Sequence, residues 1–524
     1  MIETTLNLKG VKSHYNAASR FIEENVRNGL GNKVAIISDD KTMTYNELLT
    51  DVNKFGSALK TIGVENENRM LLITYDSPEF VVSFYGAIKV GAVPIPINTM
   101  FQPNDYEYVL NNSRAKVLLI HEDFWVKLKD QRERYIYLKH VIVISDQVVQ
   151  DADVTDYKEF INRGSEELEP FYTTAEDTGF WLYSSGSTGN PKGVIHYQKN
   201  MEASFKNYAQ NILKMTENDV TFSASKLFFA YGLGNAMYFP FGAGGTTVLL
   251  KDRPTPDKIY ETLEKTKPTI FFGVPTLYGS MINYVEKTGK IPDLSSVRIC
   301  VSAGEALPST FIQKWRELFN LDILDGIGST EVAHIYLSNR IGDIKPGSTG
   351  KIVPGYEARI LNDQSIEVGP NETGDLLIKG ESITGGYWCN IEENQRKFYG
   401  KWMHTGDKYY QDDEGYFWYA GRSDDMLKVG GIWVSPIEIE SLLFQHDKVL
   451  EVAVIGKKKE NNLVYPKAYI VLKDGVSPSE ELSQELKDYV KTNLAPYKYP
   501  REIEFLDELP KTATGKVQRF RLRV

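Results

Sequence analysis

The chain has 524 residues, too many for one hydrophobic core, so two or more domains are expected. Its 42% apolar and 25% charged content is that of a soluble globular protein, and a net charge of −10 without a Lys/Arg block argues against a nucleic-acid surface. The two cysteines, Cys300 and Cys389, read as buried free thiols of a reducing compartment, and the seven histidines never fall at metal-ligand spacing, so no zinc site is expected.

The N-terminal stretch MIETTLNLKGVKSHYNAASR has no apolar signal-peptide core, and a cytoplasmic protein is expected. VAIIS then reads as a strand. TYNELLTDVNKFGSALKTIG reads as a helix opened by a Thr44/Glu47 capping box, with Leu48, Leu49, Val52, Phe55 and Leu59 along one stripe. RMLLITY, AVPIPIN and AKVLLIH follow as strands, and Ser77-Pro78 opens a second helix. This alternation predicts a wound α/β sheet. A second such set runs from TIFFGVP through VRICVSAG to LDILDGIG. Between them, 24 uncharged residues lie between Lys226 and Lys251, long enough to span a membrane. Five glycines and Pro240 break them into a turn-rich half and a strand-like TTVLL, which suits a buried pocket wall, so no membrane span is expected. Residues 345–420, including GSTGKIVPG, change to short strands with turns and predict a small β subdomain. After GRSDD the composition shifts again, towards a compact α+β unit. The expected division is 1–423 and 424–524, the second unit being small and mobile.

One stretch, YSSGSTGNPKGV (183–194), has the chemistry of an anion loop. Its glycines let backbone N–H groups turn inward, Ser184, Ser185, Ser187 and Thr188 add donors, and Lys192 supplies charge. Apolar runs on both sides pin it between core strands, unlike a linker. It is not a Walker loop, because Pro191 precedes Lys192 and Gly193 follows it.

In chain order the polar-glycine clusters are SSGSTGNPKG, SAGEALP, DGIGSTE, HTGD, GRSDDMLKVGG and PKTATGK. In this order they resemble the adenylate-forming superfamily of acyl-CoA synthetases, along essentially the whole chain, and most of all its benzoate–CoA ligase branch. The resemblance implies an AMP-forming carboxylate–CoA ligase that uses ATP, Mg²⁺ and coenzyme A. Ser185, Gly186, Ser187, Thr188, Gly189 and Lys192 would hold the phosphates that leave as pyrophosphate, with Thr188 among the catalytic groups. Glu331 matches the Mg²⁺ ligand, and Lys516 matches the lysine that bridges carboxylate and α-phosphate. Asp407, with Arg422, matches the ribose site. Ala303, Gly304 and Glu305 match the strand beside adenine, and Asp325, Gly326, Ile327 and Thr330 complete the nucleotide positions. Ile327 stands where many relatives carry a tyrosine, so adenine would pack on an aliphatic face.

The second half-reaction, by the same resemblance, would use Lys428, Gly430 and Gly431, with the C-terminal unit rotating about Asp424. Phe229, Ala230, Tyr231, Gly328, Ala333, His334 and Ile335 match acyl-pocket positions. Ala333 replaces a leucine frequent in relatives, and Gln198 replaces a common histidine. The expected substrate is benzoate or a substituted benzoate, with medium-chain and alicyclic acids as the alternative. A stand-alone adenylation enzyme serving a carrier protein is a further reading, which Lys428 and Gly431 disfavour. Outside enzymes, a silent nucleotide-binding regulator is the alternative, disfavoured by intact Lys516, Glu331 and Asp407. A homodimer is compatible with the resemblance.

Overall fold

Strands that are apolar on both faces must be covered on both, and this chain covers them by laying helices against parallel sheets. The computed structural model describes residues 13–39, 41–147, 153–184, 190–423, 425–429, 432–458, 464–511 and 517–523. The largest sheet runs in the order Lys351–Ile352, Ile335–Ser338, Ile323–Gly328, Ile299–Ser302, Ile270–Gly273, Val220–Ser223, Thr246–Leu249, Val34–Ser38, Lys41–Thr44. Its interior pairs are parallel, and the pairs at both edges are antiparallel. A second, all-parallel sheet has the order Val93–Pro96, Arg69–Ile73, Val117–His121, His140–Ile144, Thr155–Asp156.

Helix Tyr45–Thr61 opens on the expected capping box: Glu47 N–H donates to Thr44 Oγ1 at 3.3 Å, and Thr44 N–H donates to Glu47 Oε2 at 2.7 Å. Leu48, Val52, Phe55 and Leu59 are fully buried, while Leu49 is half-buried. Helix Pro78–Lys89 starts directly after Ser77, with proline in its first turn. Its last residue, Lys89, is 1% exposed and pairs with Glu23 and the Asn53 carboxamide oxygen inside the core.

Three local expectations change. Val34–Ser38 leaves the first alternating set and joins the large sheet beside Thr246–Leu249, because both its neighbours there are strands it can bond. The glycine-rich stretch after Lys226 is helical rather than turn-rich. It forms helix Ala230–Leu233, a π-helical turn Gly234–Tyr238 and helix Phe239–Ala243. Gly234 serves close packing there, since a Cβ would lie 2.4 Å from His334 Cδ2. Lys351–Ile352, from the GSTGKIVPG stretch, closes the edge of the large sheet instead of entering the small one. That small sheet consists of Tyr356–Leu361, Gly374–Gly380, Phe398–Tyr399, Trp402–Gln411 and Phe417–Arg422.

Towards the C-terminus, Val449–Lys458 and Val464–Leu472 pair antiparallel, and Glu502–Phe505 adds in parallel. Helices Pro436–Phe444 and Glu480–Asn493 cover this sheet. Leu427, Val429 and Val434, from a two-stranded ribbon, belong to the same core. Cys300 is buried, but Cys389 is exposed, against expectation. It occupies a left-handed turn (φ +49°) between strand Gly386–Tyr387 and the capping residue Asn390, outside any strand that would turn it inward. No helix among the described residues is long and apolar enough to cross a membrane.

Candidate active site

The anion-loop stretch connects two antiparallel strands, Thr178–Ser184 and Lys192–Tyr197, with Ser184 and Lys192 as register partners. A third strand, Gly386–Tyr387, pairs with the second. This fixes Lys192 at the end of a rigid strand. Its ammonium lies 2.5 Å from Glu393 Oε2 and 5.6 Å from the centre of the Tyr387 ring. Ser185, Gly186, Ser187, Thr188 and Gly189 lie outside the described residues, as do Asp424, Gly430, Gly431 and Lys516. Of Lys428, the backbone lies in strand Leu427–Val429.

Strands Ile299–Ser302 and Ile323–Gly328 are parallel neighbours, with Ser302 opposite Asp325, so their carboxyl ends deliver two predicted segments side by side. Ligands in open α/β sheets bind at such ends. Ala303 is buried, Gly304 turns the chain with φ +100°, and Glu305 is half-buried. Asp325 and Gly326 are buried, and Ile327 packs half-buried against the main core. Burial pushes the Asp325 carboxyl well above the usual carboxylate range.

Beyond Gly328, the short turn Thr330–Val332 carries Glu331, 7% exposed. Tyr387 Oη donates to Glu331 Oε1 at 2.6 Å, and Lys397 Nζ sits 3.3 Å from the same oxygen. Burial works against the ionised carboxylate, yet the Lys397 charge and the Tyr387 hydrogen bond prevail and hold it at about 2. The Glu331 backbone is fixed as well, its carbonyl accepting from Thr384 N–H at 2.8 Å. Asp407, 6% exposed, faces Arg422 across an antiparallel pair, with Arg422 Nη1 3.1 Å from its Oδ1. Burial raises the Asp407 carboxyl, Arg422 and Lys397 pull it down, and Glu331 is near enough to act on it electrostatically. Glu331, Asp407 and Arg422 thus form one charged cluster, and Lys192 is joined to it through the Tyr387 ring, whose hydroxyl bonds Glu331.

Three residues on from Glu331, His334 centres a buried aromatic cluster. His334 is 2% exposed and lies among Phe239, Tyr208 and Tyr231, with ring centres 4.3, 5.4 and 5.5 Å away. Burial pushes this imidazole down to about 3, so it is neutral, and its Nε2–H donates to Asn235 Oδ1 at 3.0 Å. Tyr231 Oη donates to the Val301 carbonyl at 3.2 Å, tying the aromatic cluster to the strand that leads into Ala303. Phe229 is half-buried beside Phe228. Ala333 is buried in the left-handed region at φ +65°, and its carbonyl accepts from Tyr238 Oη at 3.0 Å. Gly328 pairs with Ile335, while Ile335 and Ala230 belong to the main hydrophobic core.

Several contributors escape a reading of the sequence. Tyr387, Glu393 and Lys397 flank Lys192 and Glu331, yet in the sequence Glu393 and Lys397 look like an ordinary surface pair at helical spacing. His196, fully buried and pushed down to about 4 by that burial, donates from Nε2 to the Thr330 carbonyl at 2.8 Å and joins hairpin to turn. Gln198 points elsewhere: its Oε1 accepts from Ala17 N–H at 2.7 Å and braces an N-terminal helix.

The AMP-binding enzyme family matches residues 22–388, and the AMP-binding enzyme C-terminal domain matches residues 438–516. The chain is 47% identical over 517 residues to a benzoate–CoA ligase of Thauera aromatica, covering 98% of this chain and 96% of that one. It is 41% identical over 512 residues to a 4-hydroxybenzoate–CoA/benzoate–CoA ligase of Rhodopseudomonas palustris, covering 97% and 94%. Among solved structures, an anthranilate–CoA ligase in complex with anthranoyl-AMP superimposes with a TM-score of 0.92 at 42% identity, covering 98% of both chains. A benzoate–CoA ligase from Burkholderia xenovorans gives 0.89 at 42% identity, covering 97% of this chain and all of that one.

Proposed function

Because the chain belongs to the AMP-binding enzyme family, we propose that it is an AMP-forming ligase joining an aromatic carboxylate to coenzyme A. The observation that carries this reading is the joining of Lys192, through Tyr387, to Glu331, Asp407 and Arg422, with a buried aromatic compartment of Tyr208, Tyr231, Phe239 and His334 following closely on Glu331.

A carboxylate is a poor electrophile and a weak nucleophile, and its attack on an α-phosphate brings two anions together, so charge must be neutralised first. Lys192 and the adjoining loop meet the phosphates that depart as pyrophosphate. Asp407, with Arg422, receives the ribose hydroxyls, and the Ala303–Glu305 turn lies along adenine. A divalent cation fits Glu331, whose buried carboxylate stays ionised, and when bound it supplies further positive charge to the phosphates. Lys516 bridges the carboxylate and the α-phosphate in the adenylating arrangement. Rotation of the C-terminal unit about Asp424 then withdraws it and brings Lys428, Gly430 and Gly431 towards the thiol. The aromatic compartment receives benzoate or a substituted benzoate, flat and mostly apolar, with the neutral His334 at its wall. A cytoplasmic location suits this chemistry.

The test is acid-dependent exchange of pyrophosphate into ATP without CoA. The native chain is expected to catalyse it with benzoate, and Lys516→Ala to abolish it while still converting supplied benzoyl-adenylate to thioester. Exchange that requires CoA, or ADP as the nucleotide product, would overturn the two-step reading.

A further inference from the structure

The short helix Ile391–Lys397 touches both Lys192 and Glu331 and has no part in the scheme above. Glu393 and Lys397 lie four residues apart, hence on one face. Glu393 meets Lys192 at 2.5 Å, and Lys397 meets Glu331 at 3.3 Å. The helix is well anchored for its size. Asn390 caps it through a bond from Glu393 N–H at 3.3 Å. Asn394 clamps Tyr387 twice, its Oδ1 accepting from Tyr387 N–H at 2.7 Å and its Nδ2 donating to Tyr387 O at 2.9 Å. The Lys192 and Glu393 side chains are only 11% and 16% exposed, so their pair is poorly screened by solvent. The other Glu393 oxygen is taken by Arg396 at 2.8 Å, whose own side chain is 64% exposed.

We infer that Glu393 is a phosphate surrogate: a positioning residue whose carboxylate occupies the Lys192 ammonium until a polyphosphate displaces it, and reclaims it when pyrophosphate leaves. The chemistry follows from the pairing. A lysine ammonium held by one carboxylate oxygen exchanges it for a phosphate oxygen without ever being left uncompensated in a mostly buried place. The exchange lowers affinity for ATP and for pyrophosphate by the same free energy, because both present the phosphates that Lys192 meets. AMP, which lacks them, is unaffected. The consequence is faster release of the leaving group at the expense of ATP affinity, with Lys397 and Tyr387 keeping the helix in place on Glu331. This rests on the reading of Lys192 as a phosphate contact.

The experiment measures ATP, pyrophosphate and AMP binding to the full chain by titration calorimetry, with magnesium present, and pyrophosphate inhibition of the forward reaction. Glu393→Gln should tighten ATP and pyrophosphate about tenfold each and leave AMP unchanged. It should also deepen pyrophosphate inhibition by the same factor. Arg396→Gln, at an exposed position, should do the opposite, weakening ATP severalfold because Glu393 then serves Lys192 alone. In the Glu393→Gln background the same change should be silent. Unchanged ATP and pyrophosphate affinity in Glu393→Gln, or an equal shift for AMP, overturns the inference. An Arg396→Gln effect that persists in that background assigns the phosphate to Arg396 and overturns it too. Failure of the native chain to bind ATP would instead sink the underlying reading of Lys192.

Discussion

Glu23 with Lys89, and Glu331 with Lys397, are both carboxylate–ammonium pairs taken largely out of water, yet their surroundings differ. Lys89 is 1% exposed at the end of a helix buried along nearly its whole length, and its charge is shared between Glu23 and Asn53. The second Glu23 oxygen is closed by Arg27 at 2.7 Å. Glu23, Lys89 and Asn53 all sit on elements packed into the main core, and only Arg27, 66% exposed, reaches the group from the surface. Glu331 stands instead in a three-residue turn past the end of a strand, and Lys397, 18% exposed, ends a short surface helix. A buried pair is structural when all its elements are fixed by packing, and available for chemistry when one partner sits on an element that the core does not hold.

The largest effect is expected in the first pair. Glu23→Ala leaves the Lys89 ammonium uncompensated in the core and should cost about 3–5 kcal/mol of stability. Denaturant midpoints would measure it, and kcat/KM of the fraction that remains folded should be unchanged. Combining Glu23→Leu with Lys89→Met should recover most of the loss, because no charge is then stranded. A fall in kcat/KM without loss of stability would place this pair in the site and collapse the contrast.

The second pair is tested by Glu331→Gln. Shape and the Tyr387 hydrogen bond are retained while charge is lost, so adenylation by the folded enzyme should fall by about 10²–10³, in addition to the stability lost with a carboxylate that the fold holds ionised. Unchanged adenylation by the folded enzyme would show that this pair, too, is mainly structural.

Acid separates the regions more finely. His196 and His334, neutral in the fold at about 4 and about 3, take up protons near 6.5 when unfolded. Their folded values lie below the unfolded one, so the unfolded state binds more protons as pH falls below 6.5. Stability should then decline by about 1.4 kcal/mol per pH unit for each histidine, until pH reaches the folded value. Glu331, held at about 2, adds its own loss only below the ordinary carboxylate range, as it is protonated more readily in the unfolded chain. Replacing His334 with Gln should remove one proton from the slope between pH 6.5 and 4. An unaltered slope would mean that His334 is solvated and not walled in by Phe239 and Tyr231.

The smallest effect concerns substrate size. Ala333→Leu adds a branched side chain where the backbone is already left-handed, beside His334. It should lower kcat/KM for substituted benzoates by several-fold more than for benzoate, about 1 kcal/mol of discrimination. Uniform loss across a panel of acids would remove Ala333 from the pocket wall.

Much of this was legible locally. The capping box at Thr44 and Glu47 and the proline start at Pro78 are short-range signals, and both elements form where the sequence places them. The order of the polar-glycine clusters, through the family it resembles, likewise named Lys192, Glu331, Asp407 and Arg422 as candidates for one site. Failures came where the deciding contact is remote. Glycines at 232 and 234 read as turn formers, but they admit neighbouring groups against a helical backbone, Gly234 opposite His334. Cys389 read as buried because free cysteines generally are, whereas a turn of left-handed backbone puts it outside.

By itself the sequence determined the periods of its elements, their caps and the chemistry of its loops, because those depend on residues within a turn or two of one another. The tertiary structure alone decided that Val34–Ser38 pairs with Thr246–Leu249, since any apolar strand could fill that place and only the completed sheet selects one. It alone decided, too, that Lys192 is held by a carboxylate 201 residues away and Glu331 by an ammonium 66 residues away. Coulombic partners are chosen by distance in space and by the exclusion of water, and neither quantity is written in the spacing of residues along the chain.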